Sequence, residues 1–152
     1  MPWVTAATAT TSASADAVWA CYRDPATWAA WDDDVQGASI DGPFATGVTG
    51  SLRPAAGPPL RFLMERCDPG HGFDTLTLVP HRRLPLVRIR FRHELTPLAG
   101  GGCEIMHRVE MAGPLAALFA RLMGPGFQRG LPHTVRRLAE YAAARTAPDH
   151  AR

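Results

Sequence analysis

Two histidines, His93 and His107, carry the chemistry this chain offers. Each lies in a segment whose side chains alternate with period two, the mark of a strand with one buried face. In segment 86–95, Val87, Ile89, Phe91, His93 and Leu95 share one face, opposite Leu86, Arg88, Arg90, Arg92 and Glu94. In segment 103–111, Cys103, Ile105, His107, Val109 and Met111 oppose Glu104, Met106, Arg108 and Glu110. A hairpin centred near Gly100 sets Ile89 against Met111, Phe91 against Val109, Leu95 against Ile105, and His93 against His107. That register matches apolar to apolar at the other inward positions, as a buried face demands. Opposed residues have Cβ atoms about 4.5–5.5 Å apart, so the two imidazoles are expected to touch. Such a pair titrates as a unit and can move protons near neutral pH, as enolisation and dehydration require. The competing reading is a core histidine bonded to backbone or to a Thr hydroxyl. A metal held by both rings needs a further ligand. Only Asp74 or Cys103 is placed to supply it, and no metal or cofactor is expected.

Asp74 is the third candidate. Pairing 73–79 with 86–95 around the 80–85 turn puts Leu76 and Leu78 inward, and Asp74 with them by alternation. An inward carboxylate is costly unless paired. It would then orient a histidine; the other reading is a wet strand end. Tyr22 is the phenol expected to assist. The expected cavity wall comes from three places. The helical segments give Tyr22, Trp28 and Trp31. The strands give Phe62, Met64, Leu76, Phe91 and Val109. The C-terminal helix gives Phe127, Leu131 and Val135.

Those side chains need elements to hold them. Residues 3–11 alternate small apolar residues with Thr, as a strand does. Ser14 caps a first helix with Asp16 in its first turn. Asp24 and Pro25 read as an N-cap and first helical residue of a short second helix reaching Trp31. Asp32, Asp33 and Asp34 then read as a solvated loop. Strands follow at 35–40, 47–53, 60–66, 73–79, 86–95 and 103–111, separated by Gly- and Pro-rich turns, which implies an antiparallel meander. Leu115, Leu118, Phe119 and Leu122 recur at helical spacing after Pro114. Gly124, Pro125 and Gly126 are expected to break or kink that helix, and Pro132 to begin or kink its second piece. There Leu131, Val135, Leu138 and Ala142 share a face opposite Arg136, Arg137 and Glu140.

Composition bounds the class. The 152 residues are 46% hydrophobic and 20% charged, so one globular domain (1–146, with a flexible tail at 147–152) is expected. Net charge is only +2 and every basic residue is Arg. The Arg88, Arg90, Arg92 and Arg108 stripe alternates with Glu94, Glu104 and Glu110 as a charge-paired outer face. It lacks the interleaved aromatics of a nucleic-acid site, so no nucleic acid is expected. Cys21, Cys67 and Cys103 are dispersed and odd in number, which indicates neither a disulfide framework nor zinc. No apolar run spans a bilayer, and a cytoplasmic monomer or homodimer is expected.

The order β-α-α-β-β-β-β-β-β-α resembles the helix-grip fold of the START/Bet v 1 (SRPBCC) superfamily, in its polyketide cyclase/dehydrase and lipid-transport branch. The residues that carry the likeness are Ala15 to Trp19, Asp24 to Trp28 with Trp31, Ile40 to Phe44 followed by Gly47, and Gly113 to Leu115. The resemblance implies an α+β fold in which a curved antiparallel sheet of about seven strands wraps the long C-terminal helix. It also implies an apolar cavity for a hydrophobic small molecule or polyketide-like substrate. On that basis the chain is expected to be a cofactor-independent cyclase or dehydratase of bacterial secondary metabolism. The alternative is a non-catalytic carrier or sensor of a lipid or metabolite.

Overall fold

The computed structural model describes residues 2–81 and 84–146. The expected tail at 147–152 lies outside them. The chain runs β1 (Trp3–Thr11), α1 (Ala15–Tyr22), a 3₁₀ turn (Pro25–Thr27), α2 (Trp28–Trp31), β2 (Val35–Ile40), β3 (Thr49–Pro54), β4 (Leu60–Asp68), β5 (Gly72–His81), β6 (Leu84–Pro97), β7 (Cys103–Ala112) and α3 (Ala116–Thr146). The seven strands form one antiparallel sheet in the order β1-β7-β6-β5-β4-β3-β2. This is the helix-grip architecture: a curled meander, closed at one edge by β1 returning to β7, with α3 against its concave face.

Local chemistry explains the boundaries. Ser14 accepts a hydrogen bond from the Ala17 amide and starts α1. Asp24 makes no side-chain cap, contrary to expectation. The Thr27 hydroxyl instead donates to the Asp24 and Cys21 carbonyls and tightens the chain into the 3₁₀ turn before α2. At Gly50 any side chain would collide with the Phe62 ring and the Ser39 carbonyl, so close approach there requires glycine.

Helix α3 is continuous through Pro125 and Pro132, so of the expected break or kink the break does not occur. Each proline removes one N–H bond to the carbonyl four residues back. Both prolines, and the residues Arg121 and Gln128 whose carbonyls lose that donor, are exposed, so water can take its place. The other face is anchored. Thr134, Val135, Leu138, Ala139 and Ala142 are buried, and Thr11 Oγ1 donates to the Ala139 carbonyl at 2.8 Å. Leu115 and Phe119 pack against the core, whereas Leu118 and Leu122 are exposed and do not share that face.

The β6–β7 register is the expected one, with Ile89 opposite Met111, Phe91 opposite Val109, His93 opposite His107 and Leu95 opposite Ile105. The β5 face is the reverse of the expected one. Phe73 faces His93, Thr75 faces Phe91 and Thr77 faces Ile89, so Asp74, Leu76 and Leu78 point to the outer side. The cause is a bulge between Val79 and Pro80. Carried straight on from the Pro80–Pro85 pair, the ladder would have set Leu78 against Val87 and Leu76 against Ile89. One extra residue slips the register and swaps the two faces of the strand.

Candidate functional site

Between the sheet and the middle of α3 lies a cavity of about 550 Å³. Its floor is the inner face of β5, β6 and β7, with Phe73, Thr75, Thr77, Phe91, His93 and His107. The end of α2 supplies Trp28, Trp31 and Asp32 to one wall, and α3 supplies Met123, Gly126, Phe127, Leu131 and Thr134 to another. The β3–β4 loop, Ala55 to Pro58, completes the rim.

The two histidines meet on the floor, with ring centroids 4.6 Å apart at 76°. His93 stacks on Phe73 at 4.1 Å and 6°, and its Nδ1 stands 3.3 Å from the Phe73 carbonyl. A carbonyl only accepts, so Nδ1 carries the proton and Nε2 of the neutral ring is left as the lone-pair nitrogen. His107 is fixed differently: the Tyr22 hydroxyl lies 2.8 Å from its Nε2 in a fully buried contact. Burial pushes His93 down to about 4. Burial first, then the neighbouring His93, holds His107 well below the usual histidine range. Burial, with lesser effects of Cys103 and Cys21, holds the Tyr22 phenol well above its usual range. At neutral pH the three groups are therefore uncharged, with one hydrogen bond between Tyr22 and His107 and ring contacts from both to His93.

The other expected wall residues divide three ways. Trp28, Trp31, Phe62, Phe91, Phe127 and Leu131 line the cavity. Trp28 stacks on Phe62 and on Phe73, each at 6.1 Å, so these rings brace the fold and face the cavity at once. Tyr22, Met64, Val109 and Val135 are fully buried behind the wall and are core rather than lining. Leu76 is on the outer face, as the bulge dictates.

Asp74 is also removed from the cavity. It is buried on the outer side of the sheet, where Arg66 contacts both carboxylate oxygens at 3.0 and 3.2 Å and Arg92 Nε lies 3.4 Å away. A buried carboxylate demands such pairing. Asp74 therefore extends the outer charge ladder, in which Arg90 bridges Glu65 and Glu110 and Arg108 joins Glu110. Among the described residues no group of three or more His, Cys, Asp or Glu side chains is placed to hold a metal ion.

The carboxyl residues that do reach the cavity are Asp32 and Asp34, from the run expected to be solvated loop; Asp32 is the more deeply set. Asp32 Oδ1 accepts from the Asp34 amide at 3.0 Å and lies 3.5 Å from Thr134 Oγ1. Burial raises it to about 6. Its neighbour Asp33 turns outward and ties α2 to α3, 2.8 Å from His133 Nε2 and 2.5 Å from the Arg137 guanidinium. Gly130 lets Asp34 come close, since a Cβ there would stand 2.8 Å from its Oδ2. Nothing in the sequence marks Asp32; its position depends on how α3 docks about a hundred residues later.

Comparison with known proteins supports this architecture. No curated protein matches the chain. Among solved structures, the Zhui aromatase/cyclase from a Streptomyces species superposes with a TM-score of 0.75 at 14% identity, over 97% of this chain and 98% of that one. Norcoclaurine synthase from Thalictrum flavum, in complex with dopamine and hydroxybenzaldehyde, superposes at 0.69 and 16% identity, over 97% and 90%. The di-domain ARO/CYC StfQ from the steffimycin biosynthetic pathway gives 0.72 at 12% identity, over 95% of this chain and 52% of that one. Likeness at these identities shows the fold. The family follows from the sequence itself. The family model described as "Polyketide cyclase / dehydrase and lipid transport" matches residues 2–143, nearly the whole of the helix-grip domain, and the chain belongs to that family.

Proposed function

We propose that this protein binds a largely apolar, conjugated small molecule in its cavity and acts on it as a cofactor-independent cyclase or dehydratase. The observation that carries the reading is the pair of neutral imidazoles 4.6 Å apart on the cavity floor. His93, with Nδ1–H committed to the Phe73 carbonyl, offers Nε2 as a base toward an acidic C–H between two carbonyls. His107, held by Tyr22, stabilises the proton once it has moved. The aromatic wall of Trp28, Phe62, Phe73 and Phe91 favours flat substrates, and much of the rate would come from holding a flexible chain in one conformation. The family and the aromatase/cyclase fold likeness support a polyketide-type substrate. A metabolic enzyme of the bacterial cytoplasm, monomeric or dimeric, is the setting this reading implies.

A carrier or sensor is the second reading. It is favoured by the depressed basicity of both histidines, since a weak base in a dry cavity suits binding as well as catalysis. Displacement of Nile red, followed by incubation with the displacing poly-β-carbonyl compound, separates the two. Mass spectrometry of the product detects loss of water. The enzyme reading expects His93→Gln and His107→Gln to keep Nile red affinity within about twofold and to lose turnover at least tenfold, the loss typical of removing a general base. Binding without turnover assigns the protein as a carrier, and turnover indifferent to both substitutions removes the two histidines from the chemistry.

A further inference from the structure

Four threonines are buried among the described residues: Thr11, Thr75, Thr77 and Thr134. Two of them are bonded within the protein. Thr11 Oγ1 donates to the Ala139 carbonyl, and Thr134 Oγ1 lies 3.5 Å from Asp32. Thr75 and Thr77 are 6% and 5% exposed, yet their hydroxyls have no hydrogen-bond partner among the described residues. Nor are those hydroxyls sealed. Among the described residues the side-chain polar atoms that are both sealed and unpartnered are Trp31 Nε1 and Arg108 Nε. The surface that the two hydroxyls keep opens into the cavity, whose floor both residues line. Buried hydroxyls are almost always hydrogen-bonded. Two unused O–H donors on a cavity floor therefore point to acceptors in whatever fills the cavity.

Their placement narrows the ligand. Thr75 and Thr77 stand two residues apart on the inner face of β5, about 6.6 Å along the strand. They face Phe91 and Ile89 on β6, and Met64 pairs with Thr75 from β4, so no polar side chain at these positions competes for them. The wall across the cavity is aromatic or aliphatic, with Trp28, Phe62, Phe127 and Leu131. A ligand there meets one polar strip on an otherwise apolar surface. The strip leads to the histidines: His93 faces Phe73, one diagonal step from Thr75, about 7–8 Å away. A ketone oxygen suits the strip because it accepts, and brings no donor that the apolar wall would leave unsatisfied.

We propose that Thr75 and Thr77 form a carbonyl-binding strip that selects ligands carrying two ketone oxygens along one edge of a flat apolar body. Each Oγ1–H donates to one of those oxygens. The strip rests on the reading of this cavity as the ligand site and does not require that the histidines catalyse anything.

Competition against Nile red with three probes of similar shape tests it: 1,4-diisopropylbenzene, 4-isopropylacetophenone and 1,4-diacetylbenzene, which carry no, one and two ketone oxygens. Thr75→Val and Thr77→Val keep the side-chain shape and suit a strand. Each is expected to weaken 1,4-diacetylbenzene about fivefold, the worth of one neutral hydrogen bond. The double variant weakens it by about the product of the two, and weakens 4-isopropylacetophenone only by the single step. Affinity for 1,4-diisopropylbenzene stays the same or rises, which reports an intact cavity. Thr75→Ser and Thr77→Ser keep the hydroxyl and retain the affinity of the parent protein for the diketone. Diketone affinity indifferent to both valine substitutions, or a loss shared equally by all three probes, overturns the strip and leaves the cavity as the ligand site. An infrared carbonyl stretch of bound 1,4-diacetylbenzene in the parent protein that matches its value in hexane overturns the strip without any variant. Failure of all three probes to displace Nile red overturns the cavity as the ligand site as well.

Discussion

At the scale of single residues, burial sets the protonation of this site more than partnership does. His93 and His107 are pushed down because their charged forms lose water, and Asp32 is pushed up for the same reason. The consequences for stability have opposite signs. The folded protein disfavours protonated histidine, so the contribution of His93 is complete above its ordinary value of 6.5 and is lost as pH falls toward about 4. The folded protein favours protonated Asp32. Its contribution is complete below the ordinary aspartate value of 3.8 and is lost as pH rises through about 6. The two effects oppose each other between pH 4 and 6.5, each of order 1–3 kcal/mol. Urea unfolding at pH 7, 5.5 and 4.5 should therefore show a shallower acid loss in His93→Gln than in the parent protein, and a steeper one in Asp32→Asn. Parallel curves for all three would mean that neither group is perturbed by the fold. The histidine pair was legible in the sequence because two alternating strands and one turn centre fix it. Asp32 was not, because three adjacent carboxylates look alike until α3 docks, turns Asp33 outward and leaves Asp32 and Asp34 at the cavity.

At the scale of elements, the decisive details are single-residue irregularities. The bulge at Val79 and Pro80 exchanges the faces of β5. The cavity floor thereby receives Phe73, Thr75 and Thr77, and Asp74 goes to the outer ladder. Alternation along β5 permits either face, since Phe73, Thr75 and Thr77 suit an inner surface as well as Leu76 and Leu78 do. The choice is made at the turn, where Pro-rich chemistry gives no register from sequence. Helix α3 shows the same limit. Gly124, Pro125 and Gly126 read as a break or kink and Pro132 as a start or kink, but one buried face and two exposed prolines keep the helix continuous. The glycines of this helix supply a test with two signs. At Gly126 a Cβ meets nothing within 4 Å, whereas at Gly124 it would stand 2.9 Å from the Trp3 ring. Gly126→Ala is expected to stabilise by about 0.5–1 kcal/mol through helix propensity alone. Gly124→Ala carries the same propensity gain and is expected to destabilise, because the new Cβ would force the half-buried Trp3 indole off its contact with Phe127. Denaturant midpoints measure both. Stabilisation at both positions would show that α3 is not held tightly on β1.

At the scale of the whole molecule, the cavity is a cost that the fold carries. Well-packed interiors contain few voids larger than a water molecule, and a space of about 550 Å³ bounded by aromatic and aliphatic side chains forgoes many contacts. The existence of that space was expected from the resemblance of the chain to the helix-grip superfamily. Its outline was not, because the rim is assembled from the end of α2, the β3–β4 loop and the middle of α3. If the space is kept for a ligand, filling it should separate stability from binding. Leu131 stands at the wall on α3 and is partly exposed, so a larger side chain there can grow into open volume rather than into packed core. Leu131→Trp is expected to leave the thermal midpoint unchanged or raise it by a few degrees, in keeping with cavity filling elsewhere. The same substitution should weaken Nile red binding at least tenfold. Loss of stability with binding intact would place the dye elsewhere, on the exposed Leu118 and Leu122 surface of α3 for instance. Gain of stability with loss of binding would identify the void as retained for a ligand, since selection for stability alone would have closed it.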